Sequence, residues 1–530
     1  MACQVCAEPR ASGQVSVYIG ASFEAAWEKL LLPWFESVAT RAFENRWAVA
    51  VVTPLGSYSA FLRAKLLAHR ISLLGVKFLS PPSLRELLLR GINAKLPLRE
   101  HLRLLLSIAA EQAAAENDPA KIDIAKSVAR DPDSFLRALD QLGAAGWTFD
   151  EIASNALRDI AQRFEKIVRD CELRFVHDAD RAAVASAKKS EPRFSHLLVS
   201  GFNGAHWPLW PLLCAAVTSS EEAVVVLNDP RDEARDLDEA WVGTWEENFH
   251  AAQAIDAVAE RSTSSSQLIH FLVGRDTTQQ AKAIVALAAK FLGQENCERI
   301  GILFPCPGAL PRLVAAYLDG AKIAHYDGVA HLTPSVFDDE VWRTWLELQE
   351  DPRLKTLLHF LRALPEKIFE RLSISEVEET LRGAYADVLV DNIDVLREYL
   401  RRKNGNAEIV RGLEKIEFLP RNGTLDHFLA QTRKTFAQLR WTQRWSEIER
   451  LSGNWTAHLA NSFSLRTYLR WLREILGARS LCRDEFGTHL YSRVHLLRYS
   501  EAENQTWSHL IFAGLNEETW PTIADEPGFI

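Results

Sequence analysis

The residues best placed for chemistry in this chain follow its first apolar strand. Residues 15–19 run into Gly20, Ala21 and Ser22 and then into a helical pattern. A strand, a glycine turn and a helix form the layout that cradles phosphates. That chemistry needs glycine-bared N–H groups, a lysine for the phosphates and a hydroxyl for Mg2+. Here one glycine stands in the loop with no lysine, and Phe23 and Glu24 occupy the approach. A carboxylate there repels a nucleotide. No Gly-x-x-x-x-Gly-Lys-Ser/Thr occurs elsewhere in the chain.

A working ATPase also needs acids after a core strand, one to hold Mg2+ and one to activate water. The matching place follows residues 197–200 and reads Gly201-Phe202-Asn203-Gly204-Ala205-His206, without a carboxylate. The expectation is a degenerate ATP loop at Gly20, Ala21 and Ser22 and no motor activity. A nucleotide site built from other residues is the remaining route. No His-Glu-x-x-His and no Gly-x-Ser-x-Gly appears, so no catalytic residue is assigned. Cys3 and Cys6 have metal-ligand spacing, but a structural site needs about four ligands and no second pair lies near. They read as free thiols on a terminus, and no metal site is expected.

Two segments carry arginine stripes. Over 464–477, Arg466, Arg470 and Arg473 share one face at helical spacing, beside the apolar Leu465, Leu469, Leu472 and Leu476. Over 431–445, Arg433, Arg440 and Arg444 align, with Phe436, Trp441 and Trp445 to either side. Arginines meet phosphates and aromatic rings stack bases, which suits single-stranded DNA. The competing account is an amphipathic helix with solvated arginines and core tryptophans. Arg401-Arg402-Lys403-Asn404-Gly405-Asn406 reads as a solvated basic loop.

These residues must be positioned by a large framework. The chain has 530 residues, 47% hydrophobic and 25% charged, enough for roughly three to five domains with substantial cores. Net charge is −9, so any contact with nucleic acid must come from local patches. Seven dispersed cysteines argue against a disulfide framework. No apolar run reaches the ~18–20 residues of a membrane span, and residues 1–14 lack a secretory core. A cytoplasmic location without membrane contact is the expectation.

Short apolar strands alternate with helices over 15–79 and 196–227, and again over 268–326 and 494–513. This pattern predicts parallel α/β sheets. Residues 84–184 and 337–476 read as mostly helix. Near the end, a strand over 509–513 runs into Gly514-Leu515-Asn516-Glu517-Glu518-Thr519-Trp520-Pro521.

A strand followed by Gly-Leu-Asn-Glu-x-x-Trp-Pro resembles a motif in the second motor domain of superfamily I helicases of the UvrD/RecB type. It is most similar to AddB-type subunits of helicase–nucleases. The phrases at 194–202 and 300–305 resemble AddB-type counterparts, and the order of elements extends the likeness over nearly the whole chain. The resemblance implies an α/β fold with two RecA-like parallel-sheet domains of the P-loop NTPase type, each interrupted by a helical insertion. The first domain would span 1–83 and 191–262 around an insertion at 84–190. The second would span 263–336 and 483–530 around an insertion at 337–482.

The resemblance further implies DNA as ligand, single-stranded or as a duplex end, and an AddA-type helicase–nuclease subunit as partner. It implies a PD-(D/E)XK nuclease domain, with Mg2+ and an iron–sulfur cluster, beyond Ile530. Gly514–Pro521 is read either as a fold-retaining turn or as a contact in a DNA groove. The expected function is a non-motor, DNA-binding scaffold in double-strand break repair. The alternatives are a divergent active helicase and a protein-interaction scaffold that does not touch DNA.

Overall fold

The computed structural model describes residues 14–20, 22–44, 49–90, 95–228, 236–255, 269, 271–333, 337, 339–364, 368–369, 371–403, 407–476, 480–483 and 485–516. The protein is an α/β protein with two parallel sheets, of six and four strands, flanked by helices. Both have the layout of Rossmann- or RecA-like domains.

The first sheet holds β1 (Gln14–Gly20), β2 (Val49–Val52), β3 (Val76–Leu79), β4 (Phe194–Ser200), β5 (Ser220–Asn228) and β6 (Gln253–Ile255) in the order β3-β2-β4-β5-β1-β6. Every pairing in it is parallel. Strand β2 is Val-Ala-Val-Val and buried throughout, the near-continuous apolar run that a sheet covered on both faces demands. Alternate residues feed two cores. Ala50, Val52, Leu197 and Val199 face one side, with Trp210, Trp241 and Trp245. Val51 and Leu198 face the other, with Trp27, Phe35 and Phe61.

The second sheet begins with β7 (Ile300–Phe304) and β8 (His325–Asp327). Two short antiparallel ribbons follow in the chain. One pairs β9 (His331–Thr333) with β12 (Ser480–Cys482), and the other pairs β10 (Asn422–Thr424) with β11 (Ser462–Ser464). The sheet is completed by β13 (Val494–Arg498) and β14 (His509–Phe512), giving the parallel order β14-β7-β13-β8. The helices Thr277–Leu292 and Ala309–Gly320 pack on it through Ile284, Val285, Val314 and Leu318.

Two expectations change. The strand expected at 268–273 is not formed: residues 271–273 are exposed and outside any strand, while 268 and 270 lie outside the described residues. Strand β6, which pairs with β1, was not expected, because three residues carry too little pattern. The helix after β1 is also irregular. It opens at Ser22, whose side chain accepts from Ala25 N at 3.2 Å, and widens to a π-turn over Trp27–Leu31. Pro33 explains the widening, since it has no N–H for the normal bond and its ring crowds the preceding turn.

The two helical blocks, expected as separate insertions, share one core. Leu105, Ile108 and Phe164 of the first pack in the same cluster as Trp345, Phe436 and Leu472 of the second. Glu111 of the first block caps the helix Leu465–Leu476 of the second. It accepts from Ser464 N at 2.9 Å, Ser464 Oγ at 2.6 Å and Thr467 Oγ1 at 2.5 Å. Among the described residues no helix is long and apolar enough to cross a membrane.

Candidate functional site: the cleft between the sheets

The C-terminal end of β1 delivers Gly20 and Ser22 to the edge where an α/β sheet binds ligands. Ser22 is used as a helix cap. The space above is filled with side chains. Phe23 packs on Phe61 with ring centroids 5.0 Å apart, and on Tyr58 and Trp27 at 6.3 and 6.0 Å. Lys65, one helix further on, puts its ammonium 4.9 Å from the Trp27 ring, 5.0 Å from Phe23 and 5.9 Å from Phe61. Burial lowers its pKa, opposed by Glu24, Glu298 and Glu28.

Arg299, just before β7 in the second sheet, completes the stack. Its guanidinium lies 4.7 Å from the Phe61 ring and 4.1 Å from the Trp507 ring. The result is an alternating ladder, Trp27–Lys65–Phe61–Arg299–Trp507, that crosses from one sheet domain to the other. Arg299 Nη2 donates to Gln505 Oε1 at 3.0 Å, while Nη1 is buried without a hydrogen-bond partner. Burial pulls the Arg299 pKa down to about 10, so the group stays charged and relies on the ring faces. Beside it, His495 is held neutral. Burial, then the Arg299 charge, lower its pKa to about 3, and its Nε2 lies 2.8 Å from the Ser492 carbonyl.

The end of β4 is closed as well. Tyr58 OH and Ser200 Oγ share a hydrogen bond of 2.9 Å, and burial raises the Tyr58 pKa to about 12. Gly201 follows with φ 87, and a Cβ there would sit 2.7 Å from the Tyr58 ring, so only glycine fits. The missing carboxylates are supplied from a distance. Asp238 accepts from Gly204 N at 2.9 Å, and Glu503 of the second domain accepts from Asn203 Nδ2 at 2.8 Å. Burial raises the Glu503 pKa, Asn203 lowers it and Asp238 raises it. Glu503 thus ties the second domain to the first, while Asp238 fixes the turn after β4 within the first domain. Neither is visible in the spacing around Gly201, because they arrive from a helix and a loop remote in sequence. Among the described residues no cluster of three or more metal-ligating side chains forms.

The arginine stripes fare differently from one another. The helix Leu465–Leu476 forms, burying Tyr468, Leu469, Trp471, Leu472 and Ile475. Arg470 Nη1 donates to the Ala129 carbonyl of the first helical block and its Nε lies 3.4 Å from Glu474. Arg473 pairs with Glu350 at 3.4 Å. Arg466 is exposed.

The helix expected over 431–445 is two helices, Leu425–Gln438 and Thr442–Ser452. The chain turns at Arg440, which has φ 57, so Arg433, Arg440 and Arg444 do not share a face. Arg444 is 11% exposed and bound to Asp339 at 2.6 Å. The rings of Trp441, Phe337 and Trp342 surround it at 4.9, 5.3 and 5.6 Å. Trp441 is itself buried against Phe436, at 5.3 Å, and Trp345, at 6.1 Å. Both residues are core rather than surface, because the break at Arg440 turns them inward. Arg433 stays exposed beside the Trp445 ring, at 5.7 Å.

Gly514 follows β14 in a left-handed turn with φ 72. Asn516 N donates to Gly514 O at 2.8 Å, and Leu515 is exposed. Glu517, Trp520 and Pro521 lie outside the described residues, as do Ala21, Cys3 and Cys6. Compared with known proteins, the sequence matches no family model and no curated protein.

Proposed function

We propose that this chain is a non-motor, helicase-like subunit of the AddB type, a DNA-binding scaffold in a helicase–nuclease complex that processes double-strand breaks. The two sheet domains are read as RecA-like domains of the P-loop NTPase type, with the boundaries given above. The observation that carries the non-motor reading is the Trp27–Lys65–Phe61–Arg299–Trp507 ladder. It fills the place where a motor would hold phosphates and would open and close around them.

The mechanism is binding. Arg466 and Arg433, both exposed on helices of the second helical block, meet the phosphates of a strand, and an AddA-type partner supplies the movement. The test is ATP turnover by the purified chain, with and without single-stranded DNA, beside salt-dependent DNA binding. DNA-stimulated hydrolysis would support the divergent active helicase instead. An absence of DNA binding at low salt would support the protein-interaction scaffold.

A further inference from the structure

In a chain of net charge −9, the stretch between Glu44 and Glu100 carries nine arginines and lysines and one acid, Glu86. Arg85, Lys95 and Arg99 of this stretch pair with carboxylates, Lys65 sits in the ring ladder, and Arg46 lies outside the described residues. The rest, Arg63, Arg70, Lys77 and Arg90, surround the outer edge of the first sheet.

That edge is β3, the outermost strand, and its alternation divides the cations between two faces. Phe78 faces the core of Trp27 and Phe35, with the Arg63 guanidinium 4.6 Å from its ring. Lys77 faces the other way, as Leu79 does, towards the helix Pro81–Leu88. Arg90 follows the end of that helix, and burial, then the Arg90 charge, lower the Lys77 pKa. Arg193 adds its charge there, donating to the Leu87 and Arg90 carbonyls. Arg70 ends the helix Gly56–Ala68 at φ 60 with its side chain exposed, in a conformation that usually falls to glycine. Among the described residues no carboxylate pairs with Arg63, Arg70, Arg90 or Arg193. Even Glu86 and Glu191, near Arg90 and Arg193 in sequence, form no ion pair with them.

Like charges gathered without counterions, one of them on a strained backbone, add nothing to the fold and suit an external polyanion. The rings here are covered, since Phe78 lies under Arg63, and the exposed apolar side chains, Leu67 and Leu74, are not aromatic. A single strand is held by stacked bases as well as by phosphates. Charge without open rings reads phosphates alone, as a duplex backbone presents them. Protein interfaces keep charge out of their centre, whereas here charge is the centre.

We infer that the β3 edge of the first sheet is a binding surface for double-stranded nucleic acid, whose phosphates meet Arg63, Arg70, Lys77 and Arg90. The inference rests on the DNA-binding function proposed above and adds a duplex contact separate from Arg466 and Arg433. The test is fluorescence anisotropy of the full chain with a short blunt duplex and with a single-stranded oligonucleotide, across salt concentrations.

The variant carries Arg70→Gly, which suits φ 60, together with Arg90→Ala, which relieves Lys77, so its melting temperature should equal or exceed that of the native chain. Its duplex affinity at about 0.1 M salt should fall roughly tenfold or more, and its salt slope by about 1.8 for two lost phosphate contacts. Its single-strand affinity should stay within about twofold of the native value. If the variant binds the duplex within about twofold of the native chain, the surface is refuted while the proposed function stands. If the native chain binds neither duplex nor single strand at low salt, both fall. If the variant loses single strand and duplex equally, the assignment to duplex is overturned. If it keeps the duplex and loses binding of polyglutamate, the occupant is an acidic protein and the inference is overturned.

Discussion

The guanidinium of Arg299, at the edge of the second sheet, sits between Phe61 of the first domain, at 4.7 Å, and Trp507 of its own, at 4.1 Å. A cation desolvated between two ring faces contributes about 1–2 kcal/mol, and here that energy joins two domains. Arg299→Ala should therefore loosen the contact between the sheets more than either domain alone. Limited proteolysis and an increase in radius of gyration by X-ray scattering would register it. An unchanged radius and cleavage pattern would remove the ladder from its structural role.

His495 predicts how stability depends on pH. Its folded pKa, about 3, lies below the ordinary value of 6.5. The unfolded chain therefore takes up a proton that the folded chain refuses. The stabilisation is present above the unfolded value and is lost as pH falls from 6.5 towards 3, at up to about 1.4 kcal/mol per pH unit. Urea melts of the native chain and of His495→Gln should diverge across that window, with the variant flatter.

Glu503 acts in the opposite sense. Burial raises its folded pKa, so its contribution is present below the unfolded carboxylate value and is lost as pH rises through the folded one. Glu503→Gln keeps an acceptor for Asn203 and removes that titration. Its stability at neutral pH should be equal or higher, measured by the same melts, and a marked loss would contradict the assignment.

Arg85 binds Asp180 through two bonds of 2.8 and 2.9 Å, with Asp180 fully buried. Burial raises the Asp180 pKa and Arg85 opposes the rise. Arg85→Ala leaves that carboxyl without its cation, and the expected loss is about 3–5 kcal/mol. Arg85→Ala together with Asp180→Ala should recover part of it, which a double-mutant cycle would measure.

The arginines separate by role. Arg466→Ala should leave the melting temperature unchanged, weaken single-stranded DNA binding and reduce the salt slope by about 0.7 for one lost phosphate contact. Arg444→Ala should cost about 1–3 kcal/mol of stability, since it empties a cage of three rings and an ion pair. Fluorescence anisotropy against salt concentration, paired with thermal melts, distinguishes the two patterns.

The parallel sheets were legible because buried strands such as Val49–Val52 are apolar end to end. The helix Leu465–Leu476 was legible from its spacing and from the cap at Ser464. The break at Arg440 was not, because the arginine pattern runs through it and only the backbone reveals φ 57. The emptiness of the phosphate loop could be read at Gly20–Ser22, but what fills the cleft could not. Lys65, Arg299, Asp238 and Glu503 are ordinary charged residues until the fold assembles them. The common core of the helical blocks was equally hidden, since each amphipathic helix shows that it has an apolar face and not which partner covers it.

The shared helical core has a mechanical consequence. The sheet domains touch through Arg299 and Glu503, and their helical blocks touch through Glu111 and Arg470. The chain is therefore a closed linkage with two fastenings rather than two lobes on one hinge. Rotation about either fastening strains the other. Force applied to one lobe would pass through the whole body as through a bracket held at two points.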